Sequence, residues 1–334
     1  MASTSVQGKE ALVMKTLNWW GVPTLFRCPY GEDPAACDIA LVGVPHSTGN
    51  GTTERDQHLG PRAVRDMSAN GRRVHMNFGL DPWKACTIHD LGDVPLPEGN
   101  DNERSIERIT DFYRAIDQAG TRPVSIGGDH SITGGILQAI AGEGAKLTGG
   151  RKAALLHLDA HTDAYENIPH FLGAKKSAAH WAAYLVRQGQ VDATRSLQIG
   201  MRGNPRTLNW LDPSYKLGYE VITMQRYREI GAEATIQMIQ ERIGDMPLYI
   251  TLDLDCFDAT VAPGVANLEA GEGGFTVDEV MPLLRAVRGK NVIGGDVACL
   301  MPTKDSPNKI TSQLAVAIMF EIISLIAERH GTAS

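Results

Sequence analysis

Residues 153–163, AALLHLDAHTD, decide how the rest of the chain is read. Ala153 to Leu156 form an apolar run of the kind that enters a core as a strand, and it passes directly into His157, Asp159, His161 and Asp163. Continued with a period of two, such a strand would carry those four side chains on one face. Burying an ionised carboxylate costs on the order of several kcal/mol unless something pairs with it. A sequence that gathers acids and imidazoles at the end of a buried strand therefore has to supply what balances them.

Working outward, short apolar runs recur at 39–45, 123–128, 153–160, 196–201, 248–255 and 292–298, and read as strands. Helical patterns at 102–120, 231–244 and 277–287 lie between them. Strands alternating with helices of this length imply crossover units and a parallel sheet covered on both faces. Residues 1–37, broken by Pro23, Pro29, Gly31 and Pro34, read as an N-terminal extension, and 38–334 as a single α/β domain without a linker, repeat or low-complexity tract.

In parallel sheets the functional crevice lies beyond the carboxyl ends of the strands. Four strand candidates end there in polar residues: Asp129 and His130; Asp159, His161 and Asp163; Asp253 and Asp255, with Asp258 beyond; and Asp296. So many acids converging with two imidazoles would repel one another without cations. Two divalent ions turn that repulsion into binding, and mixed carboxylate and imidazole ligation suits Mn, Fe, Ni, Co or Zn. Two such ions close together acidify a shared water and make it a nucleophile near neutral pH.

Composition narrows the rest. The 334 residues are 43% hydrophobic and 21% charged, with a net charge of −7, and no basic run argues for nucleic acid. The five scattered cysteines lack a CxxC pair and read as reduced thiols. The first twenty residues lack a signal-peptide pattern, and the late apolar run from Leu314 to Phe320 stops at Glu321, so no membrane span and a cytoplasmic location are expected.

GGDHSIT (127–133), DAHTD (159–163) and DLDCFD (253–258), in this order, resemble the signature motifs of the ureohydrolase superfamily of arginases and agmatinases. GVP (43–45), LGPRAVR (59–65), DLGDV (90–94), QIGMRG (198–203) and APG (262–264) extend the resemblance over most of the chain. It implies a three-layer α/β/α fold around a central parallel sheet, assembled as trimers or hexamers, homo- or hetero-oligomeric. By matching position it implies His130, Asp159, Asp163 and Asp253 around one metal and Asp159, His161, Asp253 and Asp255 around the other, nickel or manganese. It also implies hydrolysis of a guanidino C–N bond, with Asp163 carrying a proton to the departing amine. His157 matches no ligand and is read as support. A proton-shuttling histidine is expected at His170 or His180, with His180 the better match because a helix follows it.

The departures concern substrate. Where arginases and agmatinases carry a Glu that pairs with the guanidinium, in D-x-x-E-V-N-P, this chain reads DVACLMP (296–302) and has Cys299. A thiol cannot form a bidentate ion pair with an N–H fork. The loop 46–58 offers His46, Glu54, Asp56 and His58, and the segment after DLDCFD offers Glu269 and Glu272. Cys299, His46, Glu269 and Glu272 are thus the expected substrate contacts for a small cationic guanidine-like compound. Loss of the Glu suits a substituted guanidine or a biguanide such as metformin, cleaved to guanylurea and dimethylamine, or free guanidine, branches associated with nickel. The alternatives are an agmatinase or a guanidinoalkanoate hydrolase, the latter needing Arg202 or Arg206 for the carboxylate. A non-catalytic subunit that supports an active paralogue is a reading of another class, which the complete ligand set argues against.

Overall fold

In the computed structural model the described residues are Leu17, 19–51, 54–70, 73–170, 173–205 and 207–333. Eight strands, β1 (Ile39–Val44), β2 (Ile88–Asp93), β3 (Arg122–Gly127), β4 (Ala154–Leu158), β5 (Leu197–Met201), β6 (Glu220–Thr223), β7 (Leu248–Asp253) and β8 (Val292–Ala298), make one sheet. Their order is β2-β1-β3-β8-β7-β4-β5-β6 and every neighbouring pair is parallel. All six expected strands are present. The two that were not anticipated, β2 and β6, are the sheet's edges: IHDLGD interleaves acids and a histidine with its apolar residues, and EVIT is only four residues long.

Alternation along the strands sorts side chains into two apolar layers. Ile39 and Leu41 of β1 join the cluster that includes Val64, Ile239, Leu283 and Ile322, while Ala40, Val42 and Val44 join Ile109, Ile136 and Leu185 on the other face. Helices therefore cover both faces, giving the three-layer α/β/α arrangement. The helix Asn102–Ala119 starts on the Asp101 side chain, which accepts from Arg104 N, and stops at Gly120 with φ 81°. The pattern expected at 231–244 belongs to a longer helical stretch, Met224–Ile243, interrupted at Gly231 (φ 81°). Ahead of residue 38, Leu25, Phe26 and Cys28 are buried in the same cluster as the sheet.

The C-terminal helix Ile310–Ala333 corrects the length argument drawn from Leu314 to Phe320. Its stretch Ile310–His330 has a mean hydropathy of 2.0 and is long enough to cross a membrane, yet 72% of it is buried within the protein. Leu314, Ala315, Ile318, Met319, Ile322 and Ile323 pack against β3 and β8 as core. Glu321, which interrupts the run, is buried between Arg285 Nε (2.7 Å) and His75 Nε2 (2.9 Å).

β5 slips register between Ile199 and Met201, at Gly200 with φ 108°. A Cβ there would lie 2.8 Å from Asp159 O and 2.8 Å from the Phe275 ring, so glycine at this bulge is what allows β5 to run beside the end of β4. Gly200→Ala is expected to cost about 2–3 kcal/mol of unfolding free energy through strain and collision together. Urea denaturation of the purified variant checks this; a midpoint unchanged from the parent would show that the bulge is not required.

Candidate metal centre and catalytic cavity

The polar residues at the carboxyl ends come from β3, β8, β7 and β4, the four consecutive strands at the centre of the sheet. Strand alternation is not what brings them together. β4 ends at Leu158 and β7 at Asp253, so His161, Asp163 and Asp255 lie in the turns that follow. The spacing of two arises from side chains that fold back on their own backbone. Asp159 Oδ1 accepts from His161 N at 2.7 Å, and Asp253 Oδ1 accepts from Asp255 N at 2.9 Å. Each is an Asx turn that reverses the chain and leaves the second oxygen turned away from its own backbone. Asp255 Oδ1 in turn accepts from Ala160 N at 3.1 Å, which ties the two turns together.

The free atoms converge. His130 Nδ1 lies 2.9 Å from Asp159 Oδ2, 3.1 Å from Asp163 Oδ2 and 3.4 Å from Asp253 Oδ2. His161 Nδ1 lies 3.4 Å from Asp159 Oδ1 and 3.1 Å from Asp255 Oδ2. Two groups of donors with metal-ligand spacing result, one containing His130, His157, Asp159 and Asp163 and the other Asp159, His161 and Asp255. Asp159 belongs to both.

Residues behind the donors set their orientation. His130 Nε2 is 2.7 Å from Thr251 Oγ1, whose hydroxyl donates to Asp296 Oδ1 at 2.7 Å. Asp296 also accepts from Thr133 Oγ1 (2.9 Å) and Tyr249 OH (2.8 Å). That arrangement makes Nε2 the donor to Thr251 and turns Nδ1 toward the carboxylates, where its lone pair faces a cation once the proton there is displaced. Asp163, at φ 50°, is held by Trp181 Nε1 at 2.8 Å. Gln198 Nε2 lies 3.2 Å from His157 Nδ1, so the amide donates there and His157 Nε2 donates to Asp159 Oδ2 at 2.9 Å.

These residues fit divalent cations. His130 Nδ1 is fully buried without a hydrogen-bond partner, although three carboxylates surround it. Burial alone would push its imidazole down, yet Asp159, Asp163 and Asp253 hold it well above the ordinary histidine range. Burial, with Asp253 beside it, pushes Asp255 well above the carboxylate range. Without cations the cluster is held by protons; a cation in the same place satisfies the lone pairs and releases those protons.

A cavity of 670 Å³ opens onto this centre, lined by Asp129, His130, His161, Asp163, Asp253, Glu269 and Cys299 together with Asn50, Tyr165, Ile168, His170, Asn204 and Trp210. Cys299 is buried in its wall at φ 68°, with its amide donating to Gly128 O at 2.8 Å. Glu269 reaches in from a loop and lies 3.1 Å from His161 Nε2. Sequence pattern alone gave no sign of Asn50, Tyr165, Asn204 or Trp210, which sit on loops; Gln198 and Thr251 carried a usable signal, a polar residue inside a buried strand.

Other expected contacts lie elsewhere. His46 is buried behind the cavity, its Nε2 3.0 Å from Asn102 Oδ1, and Glu272 does not line the cavity. Glu54 pairs with Lys304 and Asp56 accepts from Thr303 Oγ1 at 2.8 Å. His180 is turned away, with Nδ1 2.7 Å from Ser177 Oγ and Nε2 3.1 Å from Ile168 O, whereas His170 lines the cavity and its Nε2 donates to Gly49 O at 2.8 Å. Arg202, 4% exposed, is spent on the carbonyls of Asp255, Cys256, Phe257 and Glu272 beneath the metal ligands. Arg206 is outside the described residues. Asp129 caps Gly49 N and Ser131 N, and Asp258 caps Thr260 N and Gly274 N.

Comparison with known proteins agrees with this geometry. The arginase family model matches residues 37–324, and the chain belongs to that family. It is 34% identical over 312 residues to a guanidinopropionase of Pseudomonas aeruginosa, covering 92% of each chain. It is 32% identical to a mitochondrial guanidino acid hydrolase of Homo sapiens, over 91% of this chain and 82% of that one. Among solved structures, proclavaminate amidino hydrolase from Streptomyces clavuligerus superposes with a TM-score of 0.84 at 28% identity, over 93% of this chain and 99% of that one. The protein is therefore an arginase-family hydrolase that cleaves amidino C–N bonds.

Thr251→Val keeps the volume of that side chain and removes the link from Asp296 to His130. It is expected to weaken metal affinity by about 10- to 100-fold with little loss of fold. Chelator competition on the metal-loaded variant measures this, and an affinity equal to the parent's would show that His130 is oriented by something else.

Proposed function

We propose that this chain hydrolyses a small cationic substituted guanidine or biguanide, metformin being the representative case, and releases an amine. Cys299 carries the reading. It stands in the cavity wall where the resembling enzymes carry a guanidinium-pairing Glu, and a thiol offers no bidentate acceptor to an N–H fork. Alkyl groups replace donors on a substituted guanidine, so an uncharged wall suits it. Tyr165, Ile168, Pro169 and Trp210 supply apolar surface for those groups, while Glu269 and Asp129 favour a cation. Among the described lining residues there is no lysine or arginine to meet a substrate carboxylate.

Two divalent ions, nickel or manganese, bound by His130, Asp159, His161, Asp163, Asp253 and Asp255 would supply a nucleophilic water and polarise the guanidine carbon. The chain's own residues manage the protons. Asp163 Oδ2, fixed by the Trp181 indole, receives the proton of the attacking water. His170, which lines the cavity and donates from Nε2 to Gly49 O, relays a proton to the departing amine. Glu269, held against His161, orients the cationic end of the substrate. A guanidinoalkanoate hydrolase is the second reading, favoured by the names of the guanidinopropionase and guanidino acid hydrolase relatives.

Purified protein loaded with nickel or with manganese, offered a panel of guanidines, is expected to release dimethylamine from metformin and little product from guanidinopropionate or agmatine. The opposite ranking would establish the second reading, and activity that appears only with an added paralogous chain would make this a supporting subunit. Cys299→Glu should raise kcat/KM for agmatine about tenfold or more, ~1.4 kcal/mol, and lower it for the native substrate. For the proton relay, His170→Asn is expected to lower kcat about 100-fold, while His180→Asn mainly lowers stability. Equal kcat losses in the two variants would remove His170 from the role.

A further inference from the structure

A second group of metal-type donors converges at the opposite end of the sheet. Asp38 immediately precedes β1, Cys86 comes just before β2, and His330 lies near the end of the C-terminal helix. One donor atom from each of the three lies within 4.8 Å of the others. The strand pairing holds two of them in place. Asp38 N donates to Thr87 O at 2.9 Å, and Thr87 N donates to Asp38 Oδ2 at 2.8 Å. Cys86 N closes the short helix before it by donating to Pro82 O at 2.9 Å. Asp38 Oδ1 is left facing His330 Nε2 at 3.5 Å. The neighbouring cation Arg122 is committed to Asn291 Oδ1, at 3.1 Å, and to the Val292 carbonyl.

We propose that Asp38, Cys86 and His330 bind a further divalent ion, zinc or another borderline-soft metal, separate from the catalytic centre. A carboxylate, a thiolate and an imidazole are the protein donors such ions take in tetrahedral sites, and the thiolate selects against magnesium and calcium. Cys86 is buried, while the Asp38 and His330 side chains are 37% and 46% exposed, so water has access to complete the coordination. The six residues of β1 separate this group from the catalytic cavity by roughly 20 Å. Its effect is mechanical. The ion would pin the last turns of the C-terminal helix to the entry edge of the sheet, closing a loop that spans most of the chain and thereby restricting the unfolded state.

Cobalt provides a direct probe, because cobalt bound to thiolate shows an intense near-ultraviolet charge-transfer band that oxygen and nitrogen ligands do not give. The full-length protein, titrated with Co2+ after its catalytic metals are in place, is expected to develop that band. Cys86→Ser should abolish it, His330→Ala should weaken Co2+ binding at least tenfold, and Cys299→Ala should leave it intact. Metal analysis after Zn2+ loading and gel filtration should find one ion fewer per chain in Cys86→Ser than in the parent. Guanidine hydrolysis by Cys86→Ser should be unchanged, and its melting temperature should no longer rise with added Zn2+. If no thiolate band appears, the three residues form only an ion pair beside a buried thiol. If the band survives Cys86→Ser and is lost in Cys299→Ala, the thiolate ligand belongs to the catalytic cavity. Either outcome overturns the proposal, and neither depends on which guanidine is the substrate.

Discussion

Four carboxylates and two imidazoles meet at the carboxyl ends of the central strands, and their mutual repulsion is the constraint on which the site depends. His130 Nδ1 shows it most directly: it is buried facing Asp159, Asp163 and Asp253, and those carboxylates hold its imidazole well above the ordinary histidine range. In a low-dielectric interior that arrangement is stable only with positive charge at its centre, supplied by protons or by metal ions. The sheet provides rigidity, because the donors leave from β3, β7 and β4 while Asp296 on β8 stays behind them. The two Asx turns provide aim, each spending one carboxylate oxygen on the backbone so that the other points inward.

Behind the donors, a polar layer settles which atom of each histidine faces the metals. Asp296, Thr251 and His130 form one relay, and Gln198, His157 and Asp159 another. All six side chains are buried, and each makes at least one hydrogen bond within its relay. A half-satisfied relay would let the imidazole rotate or change tautomer, so the metal geometry is sensitive to residues that never touch a metal.

The sheet was legible in the sequence wherever a strand was buried on both faces. β1, β3, β4, β5, β7 and β8 announced themselves as apolar runs, whereas the edges β2 and β6 did not, because an edge strand needs less apolar surface. The candidate ligands were legible because an Asx turn is local and leaves its spacing in the sequence. The inference from that spacing was geometrically wrong even so: alternation along a strand and a turn after it both give a period of two, and the structure has the turn. The cavity walls were legible only in part, at Cys299, Glu269 and His170. Asn50, Tyr165, Asn204 and Trp210 come from three loops, after β1, β4 and β5, whose meeting depends on crossover paths that no local pattern encodes. His180 misled for the same reason, since its position before a helix says nothing about where the preceding loop turns its ring.

Chemistry and recognition are thereby carried by different parts of the molecule. The metal-binding side chains hang on strand ends whose positions are set by the whole sheet, so changing one costs both the ion and the balance of buried charge. Asn50, Tyr165, His170, Asn204, Trp210 and Glu269 line the cavity from loops and can change without disturbing that balance. Cys299 is the point of contact between the two: it follows β8 directly, its left-handed backbone turns it into the cavity wall, and its amide is tied to Gly128 at the end of β3. A carboxylate at that position would add a negative charge beside Asp253, tolerable only when a guanidinium arrives to pair with it. A thiol adds none, so this part of the wall stays uncharged beside the metal-binding carboxylates.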